Sequence, residues 1–392
     1  MKKLKKITAF LLALTLVLAM TSCAQKQEEE HIHKIGVLVY DLKDEQVQAF
    51  REYLEGYIGE NFSDVDFLYS AGVTTEVEEM EFLNNAIAAG VEGVIAFNSF
   101  DLEQEVALCA SHGVYYLRPS STTAPEDFDK VADNPYFLGY FGPGNEMEYQ
   151  AGYDMGVYFA KEQISDSYFL LSGGAGTNVM HEQRAEGMLD ALQEAYGVQF
   201  DESSIYLASA SEPVSVEAGN LKVTVFPGYI GVPDVGEQAV AAFEKDPAGV
   251  VMSTIPVQAI AGSLGDASLG TVDCYTETNG ELFKNGNLKY LCGKYESIIG
   301  PAFAAMYNAV TGYSEDFRED GKAFAIQQGF WTSTDYQDFQ EKYELSSGIT
   351  LNAYSYEDLL EVCKAHNPNA TLDDLKGLAG AWDFDSAVQR RK

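Results

Sequence analysis

Ile35-Gly-Val-Leu-Val-Tyr40 is almost wholly apolar, and residues 45–58 behind it carry Val47, Phe50, Leu54 and Ile58 at helical spacing. A short apolar run without alternation is what a strand buried on both faces requires. The spacing that follows gives a helix a single apolar stripe to lay on that strand. The same phrase recurs. Residues 65–69 read as a strand and 77–89 as a helix that Gly90 stops, followed by strand 94–97, helix 102–111 and strand 114–117. Alternation of this kind predicts a parallel sheet with helices on both faces.

A second series opens after Gly139–Gly144. Helix 149–162 presents Ala151, Gly152 and Gly156, small residues that permit close packing. Strand 168–172, helix 179–196, strand 205–208, helix 235–245, strand 250–254, a short helix at 258–264 and strand 272–275 continue it. Strand 288–292, helix 297–311 and strand 323–328 close it. Residues 211–230 interrupt the series. Leu221-Lys-Val-Thr-Val-Phe226 alternates as an exposed hairpin strand does, and the segment reads as an insertion. The tail is helical, with Ser355 three residues before Asp358 as an N-cap signature.

Ahead of the first strand, Lys2, Lys3, Lys5 and Lys6 precede an apolar run over 7–20 and then Thr21, Ser22 and Cys23. Charged, apolar and small segments in that order form a secretory leader. The apolar part falls short of the roughly 20 residues a membrane span needs. Cys23 after small residues resembles the lipobox of bacterial lipoproteins, although Met20 stands where leucine is usual. That resemblance implies a lipidated Cys23 as the membrane anchor, with residues 24–33 as a tether; an ordinary signal with an incidental cysteine is the other reading.

About 370 residues remain beyond the leader, enough for two lobes at roughly 100–200 residues per domain. The chain holds 60 acids against 25 lysines and arginines, a net charge of −35. Such a surface repels nucleic acid and anionic lipid head groups, so neither is an expected partner. Cys109, Cys274, Cys292 and Cys363 are far apart and read as buried small hydrophobes. A Cys274–Cys292 bridge between neighbouring strands stays open in an oxidising compartment. His31 and His33 follow three glutamates, a pairing competent to hold a metal weakly. Placed in the tether they read instead as a solvated linker, and no metal or cofactor is expected.

Several segments in order carry a family likeness. Ile35–Tyr40 with its helix, Ala89-Gly-Val-Glu-Gly-Val-Ile95, Ala151-Gly-Tyr-Asp-Met-Gly156, Arg184-Ala-Glu-Gly-Met188 and the helix between Gly300 and Gly312 together resemble the type I periplasmic-binding-protein family. The likeness spans 34 to about 328. It implies an α/β fold of two Rossmann-like lobes with parallel sheets, joined by three crossovers at a hinge. The first lobe would hold 34–143 and about 294–322, the second 144–293 and about 323–350, and 351–392 would be a helical extension. It further implies an extracytoplasmic monomer that captures a small-molecule solute, a sugar or sugar derivative, for the permease of an ABC importer.

Ligands of open α/β sheets sit beyond the carboxyl ends of the strands. The first-lobe candidates leave those ends and are Tyr40, Asp41, Asn98, Ser99, Arg118, Ser120 and Ser121; the second-lobe candidates are Asn178 and Arg184, with Thr276, Glu277 and Lys294 after later strands. Arg184 matches the family's arginine that reaches the ligand. Tyr40, Phe97, Tyr116, Tyr229 and Tyr295 are the candidate stacking walls. Departures exist. Gln46 and Val47 stand where sugar receptors carry an aromatic pair, Ser120-Ser121 where they carry Asp-Arg, and Cys274-Tyr275-Thr276 where they carry a G-[FY]-D motif. These leave a nucleoside as an alternative ligand. An exported enzyme is a third reading, but no nucleophile elbow, HExxH, Walker loop or paired-carboxylate motif occurs. Ser172-Gly-Gly-Ala-Gly176 is glycine-rich at the wrong spacing for a phosphate loop and reads as a tight turn.

Overall fold

The computed structural model describes residues 31–162, 165–174, 176, 178–347 and 352–392. The leader, Cys23, residues 24–30 of the tether and Ala175 of the glycine-rich turn lie outside the described residues. Among the described residues no helix is long and apolar enough to cross a membrane.

The strands in chain order are β1 (His33–Leu38), β2 (Val65–Tyr69), β3 (Gly93–Ala96), β4 (Tyr115–Arg118), β5 (Phe137–Gly142), β6 (Ser167–Leu171), β7 (Val214–Ala218), β8 (Leu221–Phe226), β9 (Val250–Ser253), β10 (Ser268–Cys274), β11 (Leu288–Lys294), β12 (Phe324–Gln327) and β13 (Trp331–Ser333). They form two sheets, ordered β12-β5-β4-β3-β1-β2 and β13-β11-β10-β9-β6-β8-β7. The first sheet is parallel throughout. The second is parallel except for its edge strands β7 and β13. In each half the first strand lies between the next two parallel strands, β1 between β2 and β3 and β6 between β8 and β9, so the strand order turns at the same place in both. The chain passes between the sheets three times, at 142–145, 294–300 and 327–331.

Local chemistry fixes the elements that matter for the site. Asp44 caps helix Glu45–Arg51 by accepting from the amides of Gln46 and Val47, which satisfies donors the first helical turn leaves over. That helix runs on through the wider turns of Glu52–Ile58, bringing Tyr53 and Tyr57 inward. Tyr53 Oη donates to the Tyr354 carbonyl at 3.0 Å and Tyr57 Oη accepts from the Tyr356 amide at 2.7 Å, docking the C-terminal extension on the first lobe. The extension's helices start in capping boxes at Ser355/Asp358 and Thr371/Asp374. The Trp382 carbonyl accepts from Tyr295 Oη and Trp331 Nε1, both at 2.8 Å, so one backbone oxygen ties the second crossover to the third. In the second lobe, helices Asn145–Glu162 and Val179–Tyr196 press together backbone to backbone. A Cβ on Gly152 would run into the Arg184 carbonyl, and one on Gly187 into that of Tyr149.

Four expectations are corrected. Residue 33 opens β1 rather than closing a tether, because its amide donates to the Asp64 carbonyl at 2.7 Å. Residues 204–208 are the helix Ser204–Ala208, capped by Ser203; a four-residue apolar run does not separate strand from helix. The segment 211–230 is no insertion. β8 is an interior strand of the second sheet, parallel to β6, and only β7 is an added edge. Its alternating polar residues are satisfied when covered: Lys222 Nζ and Thr224 Oγ1 both donate to the Asp246 carboxylate, at 2.6 and 3.1 Å. Finally, β12 belongs to the first sheet and not to the second lobe, paired along β5 with Phe324 against Phe141 at 5.2 Å between ring centres. All four described cysteines are unpaired and buried. The β10–β11 register sets Cys292 opposite Val272 and Cys274 opposite Lys294, which keeps the two thiols apart.

Candidate ligand-binding site

The carboxyl ends of both sheets face one another across a cleft of about 700 Å³. Nine of the twelve expected residues line it: Tyr40, Asn98, Ser99, Arg118, Ser120, Ser121, Asn178, Arg184 and Lys294. Three do not. Asp41 is exposed beside the cleft and its carboxylate accepts from the Lys43 amide, a turn contact. Thr276 is the N-cap of helix Glu277–Lys284, and Glu277 stands exposed in that helix's first turn. Of the aromatics, Tyr40, Phe97 and Tyr229 reach the cleft. Tyr116 is buried with its hydroxyl on Glu105, and Tyr295 is buried in the hinge, stacked on Trp331 at 3.8 Å.

Four cleft atoms are buried without a hydrogen-bond partner among the described residues: Asn98 Oδ1, Arg118 Nε, Ser120 Oγ and Ser121 Oγ. An unmatched buried polar group costs about 1–3 kcal/mol, so a cluster of four is a strong preference for a polar occupant. Arg118 makes no ion pair among the described residues, and its one side-chain hydrogen bond to them is a long one to Thr123 Oγ1, at 3.5 Å. Ser120 holds a positive φ of 50°, a left-handed conformation that costs a non-glycine residue of the order of 1–3 kcal/mol and clusters at functional sites.

Two buried carboxylates shape the first-lobe wall. Glu79 and Glu105 come from neighbouring helices, Glu76–Ala88 and Leu102–Ser111. Glu79 accepts from Asn98 Nδ2 at 3.0 Å and from the Phe100 amide at 2.9 Å, while Glu105 accepts from Ser99 Oγ at 3.0 Å and the Asp101 amide at 2.8 Å. The loop that carries Asn98 and Ser99 is thereby pinned at both ends. Burial, and then the neighbouring Glu105, hold the Glu79 carboxyl well above the usual carboxylate range. Glu79 therefore keeps its proton more tightly folded than unfolded. Its contribution to stability is full below about pH 4.3, the ordinary glutamate value, and is lost as pH rises through neutrality. Glu79→Gln, which preserves the donor toward Glu105, is expected to flatten the fall in thermal midpoint on the alkaline side; an unchanged pH profile would show that Glu79 is not protonated.

The second-lobe wall is built differently. Arg184 Nε donates to Glu148 Oε2 at 2.5 Å and Nη1 to the Thr254 carbonyl at 2.8 Å, with its guanidinium 5.6 Å from the Phe330 ring centre. Glu148 is fully buried and also accepts from Thr122 Oγ1 of the first lobe at 3.2 Å. Arg184 thus lines the cleft and at the same time neutralises a buried acid. Lys294 Nζ donates to the Ser120 carbonyl across the cleft at 2.5 Å, and burial pulls its pKa down to about 8. Thr278 Oγ1 donates to Glu45 Oε1 at 2.6 Å, a third bond between the lobes.

Sequence reasoning missed Asp44, His181, Asp273 and Phe330 among the lining residues. Burial raises Asp273 to about 7 while Asn279 and Gln258 donate to it. Its signal was legible as a lone acid in the apolar run Val272–Tyr275. His181 sits one turn before Arg184 on the same helix face, and burial pulls its pKa down to about 3. Its Nδ1 lies 2.7 Å from the Gly173 carbonyl, which can only accept, so Nδ1 carries the proton and Nε2 is left as an acceptor.

No family model matches the sequence and no curated protein matches it. Solved structures do. The periplasmic binding protein of the arabinose ABC transporter of Shewanella sp. ANA-3, bound to L-arabinofuranose, is 14% identical, with 79% of this chain and 94% of that one covered at a TM-score of 0.56. An ABC transporter solute-binding protein of Bacillus halodurans with bound myo-inositol is 16% identical, covering 81% and 99% at 0.57. One from Actinobacillus succinogenes with bound D-allose is 13% identical, covering 79% and 99% at 0.59. Two parallel sheets of matching strand order, three crossovers and a cleft at the carboxyl ends of the strands give this chain the type I periplasmic-binding-protein fold.

Proposed function

We propose that the chain is an extracytoplasmic solute-binding protein of an ABC importer that captures one small hydroxylated ligand, a sugar or sugar derivative, between its lobes. The observation that carries this reading is the set of buried, unmatched polar atoms on Asn98, Arg118, Ser120 and Ser121, flanked by the rings of Tyr40, Phe97 and Tyr229. Hydroxyl groups both donate and accept, so a polyol or sugar satisfies amide, guanidinium and serine atoms together, while its C–H faces pack on aromatic edges. Arabinofuranose, myo-inositol and allose in the structural neighbours support the same class. The leader and Cys23 support a lipid anchor outside the cytoplasm, with the protein acting as a monomer that hands its ligand to a permease. Binding needs no cofactor and leaves the ligand unchanged.

A thermal-shift panel of sugars, cyclitols, sugar acids and nucleosides tests this. A cognate ligand at 100 times its dissociation constant is expected to add roughly 2.7 kcal/mol of stability. Shifts confined to nucleosides, or conversion of a panel member to product, would contradict the proposal.

A further inference from the structure

At the amino ends of the strands, remote from the cleft, His31, His33 and Glu92 converge. Among the described residues they are the one group of three or more His, Cys, Asp or Glu side chains whose donor atoms all lie within 4.8 Å of one another. His31 Nε2 is 2.8 Å from Glu92 Oε1, and His33 Nδ1 is 2.8 Å from Glu92 Oε2. The arrangement follows from the fold. Residues two apart on an extended chain share a face, so both imidazoles project together where the chain enters β1. Glu92 immediately precedes the adjacent strand β3, and its amide is fixed to the Lys34 carbonyl at 2.8 Å.

The site is also braced. The His33 amide is held by the Asp64 carbonyl, and its ring packs edge-on to Tyr307 at 6.4 Å. The Tyr307 hydroxyl in turn donates to Asp64 Oδ2 at 2.8 Å and lies 3.2 Å from His366 Nε2. His33 is 14% exposed and Glu92 31%, while His31 is 69% exposed and free to adjust.

We propose that His31, His33 and Glu92 form a binding site for a divalent cation of borderline softness, Zn²⁺ in the first instance. Two imidazole nitrogens and one carboxylate oxygen are a recognised donor set for zinc, bonded at about 2.0–2.2 Å, with water in the fourth position. Tetrahedral bonds of that length separate donor atoms by about 3.3 Å. Each imidazole nitrogen now lies 2.8 Å from a Glu92 oxygen, about 0.5 Å short of that figure, and no two of the donor atoms are more than 4.8 Å apart, so small side-chain rotations suffice. The ion takes the place of the protons that now join each imidazole to the carboxylate. Its effect is to clamp residue 31, which precedes the first strand, onto the neighbouring strand, fixing where the chain enters the folded body.

The test is calorimetric titration of Zn²⁺ into the full chain, prepared without a polyhistidine tag and stripped with chelator, with Mg²⁺ as the control for the acidic surface. The expected result is one saturable Zn²⁺ per chain, and affinity roughly 10-fold or more weaker in both His31→Ala and Glu92→Gln. His31 is exposed and outside any strand, so its variant should keep the wild-type circular dichroism. Absence of saturable Zn²⁺ binding, or binding equally tight in both variants or matched by Mg²⁺, would overturn the proposal.

Discussion

Replacing Arg184 by methionine is expected to lower stability by roughly 3–5 kcal/mol, because it strands the fully buried Glu148 carboxylate. The Thr254 carbonyl loses its donor as well. For a lobe of this size each kcal/mol moves the midpoint by about 2–4 °C. The double variant Arg184→Met/Glu148→Leu should recover most of the loss, since two apolar side chains replace an ion pair without leaving a charge behind. Denaturant midpoints of the wild type, both single variants and the double variant check this. A double variant as unstable as the Arg184 single variant would show that the cost lies in packing and not in the orphaned charge. Loss of ligand binding in Arg184→Met would accordingly be no clean measure of contact with the ligand.

That dual role was invisible in the sequence. Arg184 was legible as a candidate because it sits in a quotable motif, but nothing at position 148 marks that glutamate as its buried partner 36 residues earlier. The two-sheet architecture was legible because both halves repeat strands of continuous apolar residues, and such strands fit only a sheet covered on both faces. Strand-end residues were legible for a related reason: in a parallel sheet all carboxyl ends point the same way, so Tyr40, Asn98, Arg118 and Lys294 fall on one wall or its opposite. What failed was assignment that depends on long-range pairing. β8 alternates as an exposed strand would, and only its long-range pairing with β6, with the distant Asp246 accepting from Lys222 and Thr224, makes it an interior one. β12 pairs with β5 in the first sheet, and a hinge crossing has no local signature that would place it there from sequence. Asp44 caps the first helix, and nothing in the local sequence marks its place beside Tyr40 in the cleft.

Arg118 offers the sharper probe of the cleft. Its guanidinium makes no ion pair among the described residues, and Nε is buried without a partner. Removing it therefore takes little from the fold, in contrast to Arg184. If a sugar lies between the lobes, charge-assisted bonds from Arg118 to ligand oxygens contribute roughly 1.5–3 kcal/mol, or about 10- to 100-fold in affinity. The direct measurement is calorimetric titration of the ligand giving the largest thermal shift into wild type and Arg118→Met. One ligand per chain, recovered chemically unchanged, with affinity lost in Arg118→Met at a near wild-type melting temperature is the predicted outcome. Equal affinity in the two proteins, or a ligand recovered as product, would contradict a solute clamp built on this cleft.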